Sequence, residues 1–415
     1  MKTNQDKNIY IIGAGVSGLI AAQNLEQKGY VPTILEATDY IGGRVRTEII
    51  DGWILDVGFQ VLLDAYPMSK KYLNYADLDL QRLSPGARIY TDNDSFIIGD
   101  PLRDTSMLFP TLFSSIGSMR DKLKIFQLNL RLKNTPIATI FDKKEKTTLS
   151  HLHSLGFSDK IITQFFKPFF SGIFLECDLQ TSSRMFEFIY KMFAEGFATL
   201  PKAGIGAIAK QLASQLKTTQ IQLNNEVQKL TTDFITMASG DQYPYDVCIV
   251  ATDPSSFLED YSVKNRWKTC DTLYFSVRVN DVPPPIIHLS ALSNTLINNI
   301  FYPTSVQRAP DPNHQLLSVT VLKQHLFSSE VLVSQVKGEL EKYFSITKTK
   351  FIKHYAIQRA LPDLGSVSYA PNLDLMTYED KILLCGDHTS NGSLNAAMIS
   401  GERASHGALD CLETN

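Results

Sequence analysis

The earliest strong pattern in the chain is Ile9-Tyr-Ile-Ile12, four uncharged residues that stop at Gly13. A continuous apolar run of this length, closed by glycine, predicts a strand buried on both faces. Apolar and small residues then recur at helical spacing from Val16 to about Lys28, where Gly29 ends them. Val31-Pro-Thr-Ile-Leu35 predicts a second parallel strand, closing on Glu36. Further along, Ala87-Arg-Ile-Tyr-Thr and Ser95-Phe-Ile-Ile flank Asp92-Asn93-Asp94, which predicts antiparallel strands joined by a polar turn. From Pro101 to about Gly196 the pattern is helical and rich in Leu, Phe, Lys and Arg. Leu200-Pro-Lys-Ala-Gly204-Ile-Gly206 reads as a loop entering a helix. Residues 221–227, 235–239 and 246–252 read as strands, the last two on either side of a turn near Gly240. Residues 272–279 and 316–321 are strand-like, and Pro283-Pro284-Pro285 interrupts that region with extended or turn backbone. A short apolar strand, 381–385, ends in Gly386-Asp387, and a helix with small residues on one face begins near Leu394.

The first of these units carries chemistry. Gly13 permits a tight turn, Gly15 lets backbone approach a pyrophosphate, and Gly18 lets the helix pack closely on the sheet. Val16 and Ser17 open the helix, whose unpaired N–H groups and positive dipole end face the phosphates. Glu36, followed by Ala37, sits about 20 residues beyond the glycines, where a carboxylate accepts hydrogen bonds from ribose hydroxyls. An acid there argues against a 2′-phosphate and leaves FAD or NAD. Gly42-Gly43-Arg44 adds a second close backbone approach and a guanidinium able to fork onto phosphate oxygens.

The string Glu36-Ala-Thr-Asp-Tyr-Ile-Gly-Gly-Arg-Val-Arg-Thr47 resembles the second motif of the FAD-dependent amine oxidase superfamily, which also holds protoporphyrinogen oxidases and phytoene desaturases. The resemblance implies that Arg44 contacts the FAD pyrophosphate and that Gly58-Phe59-Gln60 runs under the flavin ring. It further implies that the Val227 backbone meets the adenine and that Ala251-Thr252 ends a strand beside the cofactor. Gly386-Asp387 is similar to the family's glycine–acid pair, with Asp387 on the ribityl chain. Leu394 and Asn395 would start a helix near flavin N1 and C2=O. Phe165-Phe-Lys-Pro168-Phe-Phe-Ser-Gly172-Ile-Phe and Leu200-Pro-Lys-Ala-Gly-Ile-Gly-Ala look most like the protoporphyrinogen oxidase and phytoene desaturase branch. The implied fold is α/β: a Rossmann-like FAD-binding domain from 1–85, 197–253 and 372–415, with a mixed α+β substrate domain from 86–196 and 254–371 inserted.

Bulk properties are compatible with this. At 415 residues the chain is long enough for two domains, and a net charge of -3 favours no nucleic-acid partner. Cys177, Cys248, Cys270, Cys385 and Cys411 are scattered and odd in number, which suits a reducing, cytoplasmic compartment. The polar leader before Ile9 does not read as a signal peptide, and no segment approaches the ~20 apolar residues of a spanning helix. His151 and His153 lack a nearby ligand partner in sequence and read as a solvated helix start, so no metal is expected. Lys143-Lys144-Glu145-Lys146 reads as a solvated loop. The Phe-rich stretch 165–174, with 107–113, suits ordinary core, an apolar tunnel or peripheral contact with a bilayer.

Many amine oxidases place a lysine near flavin N5. Here Cys270 falls closest to that place, with Lys268 two residues away on the same strand face. Tyr274 and Tyr302 are pocket candidates or core. No catalytic side chain is assigned. The expected activity is oxidation or desaturation of a lipophilic small molecule by hydride transfer to non-covalent FAD, with oxygen or another acceptor and an open oligomeric state. The alternatives are a peroxide-producing amine oxidase, a non-redox flavin-dependent isomerase and a flavin-binding partner protein without turnover.

Overall fold

The computed structural model describes residues 4–100, 103–107, 111, 114–258, 266–278 and 282–414. Ile9–Ile12 lies at the centre of a six-stranded sheet, between Thr33–Leu35 and Val247–Val250. Gln220–Gln222 extends that sheet beyond Thr33–Leu35. Ile382–Leu384 and then Thr377–Glu379 extend it on the other side, and only this last strand is antiparallel. Ile9 and Ile11 are almost wholly buried, as a central parallel strand requires.

The first helix, Val16–Gln27, has no solvent-facing polar side in its first half: residues 16–22 are all buried. It is covered by the last helix, Leu394–Thr414, against which it packs along its length. Two glycines permit this layering. A Cβ on Gly18 would lie 2.1 Å from the Gly13 carbonyl oxygen, and one on Gly401 would lie 2.2 Å from that of Ser17.

A second, seven-stranded sheet takes strands from two distant stretches of sequence. Its order is Lys350–Pro362, Trp267–Arg278, His314–Val321, Ile297–Phe301, Ile287–Ser290, Gly86–Tyr90 and Ser95–Gly99. The helix Ser329–Phe344 covers one face, where Leu332, Val336 and Leu340 meet Leu273, Phe275 and Val319. The helices of residues 119–195 lie beyond the other face. Among them a π turn, Ile162–Phe166, runs into the helix Lys167–Phe174. Pro168 has no N–H to return to the carbonyl one turn back, and the wider turn accommodates that loss.

Several expectations are revised. Residues 221–227 are not one strand: Gln220–Gln222 joins the first sheet, and Val227–Leu230 starts a separate three-stranded one. Asn224 breaks them with φ +55. The strands on either side of the turn near Gly240 are present, with Gln242–Pro244 between them pairing with Phe234–Met237, and Val247–Val250 lies parallel to Ile9–Ile12. Leu200 and Pro201 belong to a strand, Ala198–Pro201, that bridges Leu62–Leu63 and Leu80–Arg82. Lys350–Pro362 is a long strand that the pattern did not reveal.

In the lysine loop Lys144 and Lys146 are exposed, as expected, but Lys143 and His151 reach a buried acid. Glu187, 1% exposed, takes Lys143, Arg131 at 2.8 Å and His151 at 3.0 Å. Lysine 191 is likewise buried and donates to the Leu132 and Lys133 carbonyls, closing the end of the helix Met119–Lys133. Val279, and residues 108–110, 112 and 113 of the apolar stretch 107–113, lie outside the described residues.

Candidate cofactor and substrate site

A cavity of about 1090 Å³ runs from the first glycine turn into the space between the second sheet and the inserted helices. That is at or above the upper end of ordinary small-molecule sites, and it suits a long ligand with room for a second molecule. Its near end collects residues from across the sequence: Gly13, Gly15, Val16, Ser17 and Glu36 from the βαβ unit, and Gly42, Gly43 and Arg44 from the second glycine loop. Gly58, Phe59 and Gln60, then Ala251 and Thr252, then Gly386, Asp387 and Leu394 complete it. Four expected residues do not line it. Gly18 packs beneath the helix, and Ala37 stands outside the wall next to Glu36. The Val227 side chain joins the core under the three-stranded sheet. Asn395 is fully buried, and its Oδ1 accepts from the Met68 N–H at 3.1 Å.

The near end suits a diphosphate. Gly15 caps the first helix without any side-chain hydrogen bond, so the first N–H groups of that helix have no capping oxygen. A Cβ on Gly15 would meet nothing within 4 Å, which leaves open space where a phosphate group needs it. The Gly42 N–H donates to the Ala14 carbonyl at 2.8 Å and fixes the second glycine loop over the first. Glu36 is held by three donors: the Ala14 N–H at 2.8 Å on Oε2, and the Thr38 N–H at 3.0 Å and hydroxyl at 2.8 Å on Oε1. Oε2 keeps acceptor capacity for a sugar hydroxyl.

Arg44 and Asp387, 343 residues apart in sequence, form a forked ion pair in the cavity wall. Nη1 reaches Oδ2 at 2.9 Å and Nη2 reaches Oδ1. The guanidinium also lies 5.1 Å over the Trp267 ring. Burial raises the Asp387 carboxyl, but the Arg44 charge and its hydrogen bond outweigh this and hold it below the usual carboxylate range. The Arg44 side chain is 40% accessible against 6% for Asp387, and that accessible part faces the cavity it lines. Next to them the His388 ring lines the wall with its Nε2 buried and unpartnered among the described residues. Burial is the largest influence on that ring and lowers its pKa, so it is neutral at pH 7.

The far end is walled by apolar side chains. Phe165 and Phe169, one turn apart, stack with centroids 5.7 Å apart. Ile173, Met185, Ile189 and Phe193 continue the wall, while Phe166 and Phe170 turn into the core. The Phe-rich stretch thus divides between cavity and core. Lys268 and Cys270 both face the cavity, in a strand that bulges between them. The Lys268 ammonium is held by Glu176 at 3.2 Å and the Thr181 hydroxyl at 3.0 Å. Burial pushes the Cys270 thiol up to about 12. Tyr274 and Tyr302 are core residues; the Tyr274 hydroxyl donates to the Asp56 carbonyl at 2.8 Å. Trp267 also lines the cavity, and so do Ile357, Leu361 and Pro362, which were missed with their strand. The β-branched and aromatic residues of 351–357 are the signal that was there to read.

Glycine turn, acid-ended second strand and a long cavity that continues between the second sheet and the helices of residues 119–195 define an α/β fold suited to a dinucleotide. The profile of the flavin containing amine oxidoreductases matches residues 16–409, and the chain belongs to that family. By that membership it is a flavin-containing oxidoreductase. The chain is 31% identical to the L-amino-acid oxidase of Trimeresurus stejnegeri over 150 residues, 34% of this chain and 29% of that protein. Matches to other curated relatives span from a quarter to about half of the relative's length. Among solved structures, an Exiguobacterium protein provisionally assigned as a protoporphyrinogen oxidase superposes with a TM-score of 0.73 at 17% identity, covering 99% of both chains. Putrescine oxidase bound to putrescine gives 0.67 at 13% identity, over 98% of this chain and 99% of that one. At those identities the likeness is one of fold. Among the described residues no helix is long and apolar enough to cross a membrane.

Proposed function

We propose that the enzyme oxidises or desaturates a largely apolar small molecule held in the far end of the cavity against FAD bound at the near end. The observation that carries this reading is the continuous apolar wall of Phe165, Phe169, Ile173, Met185, Ile189 and Phe193, open to the glycine-lined end. FAD, when bound, supplies the two-electron acceptor, with oxygen or another oxidant restoring it. The N–H groups at the start of the first helix hold its diphosphate, and Glu36 accepts from its ribose. The Arg44–Asp387 pair positions the phosphates and the ribityl chain, and the start of the last helix offers partial positive charge to the reduced ring. The apolar wall orients the substrate and excludes water. In this reading FAD is held without a covalent bond, and denaturation in acid should release it free.

A second reading, amine oxidation, is favoured by one observation: Lys268 lines the cavity, although the family resemblance puts Cys270 nearest the flavin. The test is anaerobic reduction of the yellow enzyme. Polyenes, tetrapyrroles or similar lipophilic molecules should bleach the flavin faster than small primary amines. Efficient bleaching by amines with peroxide on re-aeration, and inert lipophiles, would transfer the assignment to amine oxidation.

A further inference from the structure

The helix Met119–Lys133 has two apolar faces, and the fold uses one of them. Leu128 and Leu132, with the buried Asp121, turn toward the core. On the opposite side Met119, Leu123, Phe126 and Leu130 follow one another at steps of four, three and four residues, and all are exposed. At 3.6 residues per turn they form one stripe roughly 60° wide. Met119 and Leu123 are 60% and 58% exposed, which a packed face would not leave. Isolated exposed apolar residues need no explanation, but four in helical register do.

The flanks of the stripe are cationic. Lys122 and Lys133 lie along one side of it, and Arg120, Lys124 and Arg131 along the other; Arg120 and Lys133 are exposed, Lys122 and Lys124 donate to the Ser114 and Gly156 carbonyls, and Arg131 is held by Glu187. The helix thus carries five cations in a chain whose net charge is -3. Its one acid, Asp121, is 2% exposed and bonded to Ser118 and Ser158, so it offers no countercharge at the surface. Phe126 belongs both to the stripe and to the lining of the cavity, and Lys122, Ile125 and Asn129 line the cavity beside it. An apolar stripe between basic belts is the surface of a helix that lies in the plane of an anionic lipid interface.

We infer that this helix docks the enzyme on an anionic bilayer surface, with Met119, Leu123, Phe126 and Leu130 inserted among the acyl chains and Arg120, Lys124 and Lys133 at the headgroups. The far end of the cavity then borders the membrane, and a lipophilic molecule reaches it without crossing water. The contact expected of residues 165–174 falls instead on this helix. The inference stands on the surface of the helix and not on the identity of the substrate. A failure to find lipophilic turnover leaves it standing, and a failure of docking leaves the reading of the site standing.

The experiment is flotation of the full-length, FAD-loaded protein with phosphatidylcholine vesicles, with and without phosphatidylglycerol. The protein should float with the anionic vesicles, and added salt should weaken the association. Leu123→Glu combined with Leu130→Glu, neither of which lines the cavity, should cut the bound fraction about tenfold or more while flavin content and melting temperature stay unchanged. Arg120→Glu with Lys133→Glu should remove the preference for anionic over neutral vesicles. Wild-type protein that stays in the soluble fraction with both vesicle types overturns the inference. So does a double leucine variant that floats as well as the parent. A wild-type dimer that the leucine variant dissolves, without flotation of either, overturns it as well by making the stripe an interface between copies.

Discussion

At its near end the cavity is walled largely by backbone: glycine turns, uncapped helix N–H groups and a strand end carrying Glu36. At its far end it is walled by side chains, chiefly Phe, Ile and Met from helices that enter the fold between strands of the second sheet. Backbone walls tolerate little change, because each glycine is set by steric contact or by the space a ligand's phosphates need. Side-chain walls can be repacked at modest cost when volume is conserved. A fold built this way keeps one cofactor while its substrate end is free to diverge, which suits relatives that share the family and differ in what they oxidise.

The largest effects should come from the glycines, and two of them separate binding from folding. Gly15→Val extends a side chain into open space, so the apoprotein should fold and melt normally. FAD affinity should fall by about a hundredfold or more, roughly 3 kcal/mol, read by titration of the apoprotein. Gly18→Val places a Cβ 2.1 Å from the Gly13 carbonyl oxygen and should destabilise the fold itself, by about 1–3 kcal/mol or more in urea unfolding. Normal FAD affinity in Gly15→Val would break the comparison at its near end.

The ion pair comes next. Asp387→Ala removes a charged partner and leaves Arg44 facing the cavity alone. It should weaken FAD by about 1–3 kcal/mol, with unfolding still cooperative. Unchanged affinity would mean that the pair braces the two ends of the chain and leaves the cofactor to the glycine loops.

The smallest effect is a pH dependence that divides the two ends. At the near end, burial raises Asp56 to about 6, despite bonds from Thr47 and the Ile205 N–H. The folded chain therefore takes up this proton before the unfolded one does. That contribution to stability is fully present below 3.8 and is lost as pH rises through about 6. At the far end, burial also raises Asp121, but bonds from Ser118 and Ser158 outweigh it and hold the carboxyl at about 2. Its contribution is present above 3.8 and lost as pH falls toward about 2. Urea midpoints measured across this range should show Asp56→Asn flattening the upper window and Asp121→Asn the lower one. A single variant that flattens both would show that the two regions titrate together.

The near end was largely legible because its determinants are local. The turn at Gly13, the helix from Val16 and the acid at 36 sit within one βαβ unit, and each follows from steric or dipolar rules acting over a few residues. Gly42-Gly43-Arg44 and Gly386-Asp387 were legible as motifs. That Arg44 and Asp387 fork onto one another was not, since no local rule relates positions 343 residues apart. The division of the Phe-rich stretch was hidden for a similar reason. Phe166 and Phe170 alternate with Phe165 and Phe169 on two sides of one helical segment, and composition does not say which side meets the core. Residues 350–362 went unread as a strand because several of their side chains are exposed, which blurs the alternation.

The sequence by itself therefore determined the class of fold, the glycine turn and most of the groups that line the near end of the cavity. Short-range sterics and hydrogen bonding dictate these before the chain is compact. Tertiary structure alone decided that the cofactor end and the apolar end form one cavity, that Lys268 and Cys270 share its wall, and that one face of Met119–Lys133 stays bare. Those outcomes depend on which surfaces meet when distant segments pack, and burial is a property of the assembled layers rather than of any stretch of chain.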